Sequence, residues 1–136
     1  MAPSRRLFLF FPTGALLAQE AAAPAKPRFA EAIAAFIAAD RTAPPPQGGI
    51  LFIGSSIFRQ WTSVAADMAP LPVFNRAFGG SRTADILTHM DRVVLPYEPK
   101  VIVYYCGSND INAPVTPETI AGNFRTFVER VHAKLP

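Results

Sequence analysis

The sequence predicts an α/β fold, a three-layer sandwich around a parallel sheet, and three observations predict it. Three continuous apolar runs, Ile50-Leu51-Phe52-Ile53, Val73-Phe74 and Val101-Ile102-Val103-Tyr104-Tyr105, read as strands covered on both faces. Segments with helical spacing precede, separate and follow these runs. Each run stops at a turn or polar loop. Strand alternating with helix implies parallel strands joined by crossovers, with helices on both faces.

The elements follow in order. Phe29, Ile33, Phe36 and Ile37 recur at i, i+4, i+7 and i+8, one face of an amphipathic helix ending near Asp40. Pro44-Pro45-Pro46 and Gly48-Gly49 stop it. The first strand runs into Gly54-Ser55-Ser56, and residues 57–68 read as a weakly periodic helix. The second strand leads through Asn75 to Gly79-Gly80-Ser81. Ile86, Met90, Val93 and Val94 then have helical spacing, with Ser81 or Thr83 as the expected N-cap, Asp85 in the first turn and Pro96 as the stop. After the third strand, Thr116-Pro117 opens a helix with Thr at N-cap and Pro at N1. Its expected core stripe is Ile120, Phe124, Phe127, Val128 and Val131. Three strands are few for such a sheet, and the last helix reaches Leu135-Pro136 where another strand-helix unit is due. The fold is therefore expected to be truncated after its third strand-helix unit.

Residues 1–23 read as an export signal: a basic start, the apolar run Leu7 to Phe11, then small residues around Ala15 and Ala18. The apolar stretch is shorter than the roughly 20 residues a spanning helix needs, so no stable membrane anchor is expected. Ser4-Arg5-Arg6-Leu7-Phe8-Leu9 resembles a twin-arginine signal, which is favoured over a Sec signal. The expected location is periplasmic or extracellular. Residues 24–136 then read as one domain, starting with the linker Pro24-Ala25-Lys26-Pro27.

Composition narrows the function classes. The net charge is +3 from 13 basic and 10 acidic residues. Without Arg5 and Arg6 the balance is close to neutral, and the remaining Lys and Arg are scattered. A nucleic-acid face needs them gathered, so nucleic acid is not an expected partner. Cys106 is the one cysteine, which rules out an internal disulfide and a cysteine-rich metal site. It follows an apolar run and reads as a small core residue. No metal-ligand cluster and no P-loop stands in the sequence, so no cofactor is expected.

The three strands end in Gly54-Ser55-Ser56, Gly79-Gly80 and Gly107-Ser108-Asn109-Asp110. In an open parallel sheet, ligands bind along that edge, so three segments distant in sequence converge. Each motif alone is ordinary loop composition. Together they supply a serine hydroxyl at a strand-to-helix turn and the backbone N–H and side-chain amide donors that an oxyanion hole needs.

These motifs resemble the SGNH, or GDSL-like, hydrolase family. Ile50 to Ser56 looks like its first block, a hydrophobic strand running into Gly-Asp-Ser; Ser55 stands where the family has Asp. Asn75-Arg76-Ala77-Phe78-Gly79-Gly80 resembles the second block, and Gly107-Ser108-Asn109-Asp110 the third, Gly-x-Asn-Asp. Trp61 and Pro96-Tyr97 also fit a GDSL-like lipase/acylhydrolase subfamily, and the similarity covers residues 28–136. The resemblance implies a flavodoxin-like fold and a serine esterase acting on acetyl or short acyl esters of a carbohydrate or lipid. By position, Ser56 matches the nucleophile. The N–H groups of Ser56 and Gly80 and the side-chain amide of Asn109 match the oxyanion hole.

The family's Asp-x-x-His block, whose His serves as base, has no counterpart in the sequence. His132 is expected roughly 22 Å down the last helix from the active edge, and His89 about 10 Å down its own. Neither is expected to act as base, so the chain is expected to be weak or inactive by itself. Two rivals remain. One is a non-catalytic carbohydrate- or acyl-binding module on the same fold. The other is a nucleotide or phosphate binder at Gly79-Gly80-Ser81, disfavoured because the sequence lacks Gly-x-Gly-x-x-Gly and a P-loop lysine.

Overall fold

The computed structural model describes residues 26–135; the expected export signal lies outside them. Strands β1 (Ile50–Gly54), β2 (Val73–Asn75) and β3 (Val101–Tyr105) form a parallel sheet in the order β2-β1-β3. Ile50 is opposite both Val73 and Val101, and Gly54 is opposite Tyr105. The helices are α1 (Ala30–Asp40), α2 (Ser56–Gln60), α3 (Val64–Asp67), α4 (Thr83–Val93), α5 (Ser108–Ile111) and α6 (Pro117–Lys134). A 3₁₀ turn, Leu95–Tyr97, follows α4.

Alternation along β1 divides the interior. Leu51 and Ile53 point into the larger core with Ile33 of α1, Ile86, Met90 and Val93 of α4, and Phe127 of α6. Phe52 points the other way, onto Val64 of α3 and Val73, with Phe58 and Trp61 alongside. Helices therefore cover both faces, as a continuous apolar strand requires. Each fully buried Leu, Ile or Met contributes about 1.5–3 kcal/mol. No described helix is long and apolar enough to cross a membrane.

The structure differs from the sequence reading in four places. The helix expected over 57–68 is two short helices. Between them the Trp61 indole N–H and the Ser63 hydroxyl both donate to the Asp67 carboxylate, at 2.6 and 2.7 Å. Local side-chain bonds of this kind compete with the helical ladder. The N-cap of α4 is Arg82, whose N–H donates to the Asp85 carboxylate at 2.9 Å. Ser81 and Thr83 are drawn instead into contacts with the other two loops. A short helix, α5, occupies the loop after β3. The fourth difference is β3, which is an edge strand: Val101 is 49% and Tyr105 39% exposed. Phe124, expected in the core stripe of α6, is 45% exposed because it packs on Tyr104 of this edge strand, beside which no further described strand lies. Between β3 and α6 lies a cleft of about 720 Å³ lined by Ile102, Tyr104, Phe124, Val128 and Val131. The expected cap of α6 is present, with the Thr119 N–H donating to the Thr116 hydroxyl at 3.3 Å.

Candidate active site

The crossover from β1 to β2 uses one face of the sheet and the path from β2 to β3 uses the other. The strand order thus reverses at β1, and the carboxyl ends of β1 and β3 form the switch point where such a sheet takes its ligand. All three predicted loops meet there.

The first loop is set by Gly54, at φ 154°. A β-carbon on Gly54 would lie 1.9 Å from the Tyr105 carbonyl oxygen, so only glycine lets the strands stay this close while the chain turns. The Ser55 N–H donates to that carbonyl at 3.1 Å, and the Ser55 carbonyl accepts from the Arg59 N–H at 3.0 Å. The turn is therefore held by backbone bonds, and Ser55 in place of Asp leaves it intact. The Ser55 side chain is buried with no hydrogen-bond partner for its hydroxyl among the described residues. Ser56 opens α2 and is half-buried at the rim.

The second loop is tied to the first through one carbonyl. The Gly54 oxygen accepts from the Phe78 N–H at 3.0 Å and the Ser81 hydroxyl at 3.1 Å. The β-carbon of Ser56 is 4.0 Å from where a Gly79 β-carbon would sit. Gly80, at φ 79°, is exposed with nothing within 4 Å of its missing β-carbon. Asn75 ties β2 to α2 by donating to the Phe58 carbonyl at 2.6 Å.

The third loop is tied to the second at Ser81. The Ser81 carbonyl accepts from the Asn109 side-chain amide at 3.0 Å and from the Cys106 thiol at 3.4 Å. Asp110 is buried, and its carboxylate accepts from the Thr83 N–H at 3.0 Å and the Thr83 hydroxyl at 2.7 Å. Asn123 of α6 donates to that same hydroxyl at 2.9 Å.

Ser56, Gly80 and Asn109 thus lie on three loops stitched together at Gly54 and Ser81. Among the described residues, the N–H groups of Ser56 and Gly80 donate to nothing, and Asn109 uses its amide nitrogen once. Sequence reasoning missed Ser81 and Asp110 as the links. Asp110 beside Asn109 was the available signal, but its target, Thr83, becomes adjacent only in the fold.

Neither histidine forms a hydrogen bond with Ser56, Gly80 or Asn109. His89 is buried edge-on against the Phe78 ring at 5.9 Å, with Nε2 2.5 Å from the Arg28 carbonyl oxygen. His132 is exposed near the far end of α6 and lines the β3–α6 cleft with Glu98 and Lys100, which precede β3. Burial pushes the Cys106 thiol up to about 11 and raises the Tyr104 hydroxyl as well. No cluster of three metal-ligating side chains stands among the described residues.

The model of the GDSL-like lipase/acylhydrolase family matches residues 52–136 of this chain. The chain belongs to the GDSL-like lipase/acylhydrolase family. That family is one of hydrolases acting on esters, and its solved members share the fold. A GDSL-like lipase from Bacteroides thetaiotaomicron superposes with a TM-score of 0.65 at 17% identity, covering 75% of this chain and 53% of its own. A Bacteroides fragilis protein assigned as an acylhydrolase gives 0.61 at 24% identity, with 79% and 51% covered. An acetyl xylan esterase gives 0.51 at 18% identity, with 62% and 52% covered. The GDSL-like chain spans about half the length of these structures. Among curated proteins none matches it.

Proposed function

We propose that the chain carries the acyl-transfer site of a serine esterase that removes acetyl or short acyl groups from a carbohydrate or lipid. One observation supports this most: a rim serine on loops whose Ser56 and Gly80 N–H groups have no acceptor within the described residues, with an Asn109 amide that uses one of its two hydrogens. The Ser56 Oγ would attack the ester carbonyl carbon. The carbonyl oxygen, now an oxyanion, would accept from the Ser56 and Gly80 N–H groups and the Asn109 amide. The alcohol would leave with a proton, and water would release the acid from the acyl-enzyme. An exported location, from the signal-like residues 1–23, belongs to the same reading.

No described histidine is placed to take the Ser56 proton. The expected result is weak turnover by this chain alone, since an oxyanion hole without its base retains only a residual 10³–10⁴-fold advantage over water. Hydrolysis of p-nitrophenyl acetate should be slow and should fall to background in Ser56→Ala. A fluorophosphonate probe should label Ser56 slowly, and faster when imidazole is added as an external base. Labelling that persists in Ser56→Ala would place the chemistry elsewhere.

The position of both histidines favours a second reading, a carbohydrate- or acyl-binding module without catalysis. That module would bind its ligand equally well after Ser56→Ala and would form no adduct with the probe.

A further inference from the structure

We infer that Arg59 makes this site selective for esters that carry a carboxylate a few bonds from the scissile carbonyl. The inference rests on Ser56 as the reacting group. Ser56 and Arg59 are three residues apart on α2 and so share a face of that helix. Both flank Gly79: the Arg59 Cδ is 3.1 Å, its Nε 3.8 Å and the Ser56 Cβ 4.0 Å from the position of a Gly79 β-carbon. The base of the guanidinium group thus stands beside the serine and one residue from Gly80. Arg59 also lines a cleft of about 260 Å³ with Phe36, Trp61, Thr62, Asn75 and Ala77. Ser56 does not line that cleft; Arg59 is the residue that both lines it and packs against Gly79 beside the serine.

The charge on Arg59 is uncommitted. Arg28, Arg76 and Arg130 each pair with a carboxylate, on Asp85, Asp40 and Asp91 respectively. Arg59 is exposed, and its guanidinium group has no hydrogen-bond or ion-pair partner among the described residues. The nearby Asp67 is taken up by Trp61 and Ser63. A guanidinium beside a reacting serine, with no acid to neutralise it, presents a planar fork of donors. A single fork matches a carboxylate in a bidentate pair. A phosphate would call on more positive charge, and Arg59 is the one cation among the described residues lining the cleft.

Binding tests this without relying on turnover. Monomethyl succinate and methyl butyrate compare a charged with a neutral acyl group. Acetoxyacetate and ethyl acetate do the same on the alcohol side. Shifts of the Gly79 and Gly80 amide resonances during titration report both affinity and place. In at least one pair the charged ester should bind roughly fivefold tighter at low salt, as an exposed ion pair allows, and the preference should shrink as salt is added. The pair that shows it identifies which side of the ester carries the charge. Arg59→Met should abolish the preference with the unfolding temperature unchanged, because the side chain is exposed, and Arg59→Lys should keep part of it. Ser56→Ala should keep the preference in full, so failure of the serine chemistry and failure of this inference appear in separate measurements. Equal binding of charged and neutral esters, a preference that survives Arg59→Met, or no shift with any ester would overturn it.

Discussion

Cys106 lies just behind the third loop, half-buried, with its thiol directed at the Ser81 carbonyl. Burial is the largest cause of its raised pKa, from an ordinary 9.0 to about 11, and the negative charge of Asp110 adds to it. The neutral thiol is a poor nucleophile. Alkylation by iodoacetamide at pH 8 should therefore be much slower in the folded chain than in urea. The sign for stability follows by linkage. Between about 9 and 11 the folded state keeps a proton that the unfolded state has lost, so this group's contribution is present below 9 and declines as pH rises to about 11. Alkylation at equal rates folded and unfolded would contradict the burial argument. Gly54 is the other residue whose role is individual, because no side chain fits where β1 and β3 touch.

At the scale of an element, the start of α4 is held by groups outside the helix. Asp85 caps Arg82 locally, while Asp110 reaches over from the third loop to the Thr83 N–H and hydroxyl. Helix starts leave N–H groups without partners inside the helix, and here a residue of the third loop supplies one. Asp110→Ala should cost about 3 kcal/mol in urea unfolding, since it strands buried donors at roughly 1–3 kcal/mol each. Thr83→Val keeps the N–H bond and should cost less, about 1 kcal/mol. The reverse order would show that the clamp does not work through the carboxylate. Both Thr83 and Asp110 can be picked out in the sequence as polar residues near turns. Their pairing cannot, because it depends on two loops meeting across the sheet.

At the scale of the molecule, the outer side of β3 is bare among the described residues. The Ser55 N–H bond to the Tyr105 carbonyl turns the odd-numbered residues of β3 toward β1. The N–H and carbonyl groups of Ile102 and Tyr104 therefore point outward, beside the exposed Phe124. An edge of this kind is a template for pairing with another chain. The chain should show a mass above that of a monomer by light scattering as concentration rises, and Val101→Lys with Phe124→Lys should return it toward monomer. A monomer at every concentration would mean that the edge is protected.

Ile50 to Ile53 and Val101 to Tyr105 announced parallel strands because a run apolar on both faces has no other comfortable place. The loops at their ends announced the candidate site because side chains at strand termini converge whatever the intervening helices contain. Those features, together with the serine, glycine and asparagine types suited to acyl chemistry, belong to the sequence itself. Periodicity does not report what lies beside an element, so the edge position of β3 and the exposure of Phe124 came only with the fold. The tertiary structure alone decided that Ser81 joins all three loops, that Asp110 rather than a local cap holds Thr83, and that Arg59 stands uncommitted beside Ser56. Each of those contacts links residues through space, and a hydrogen bond or an ion pair forms only at the few ångströms that packing sets.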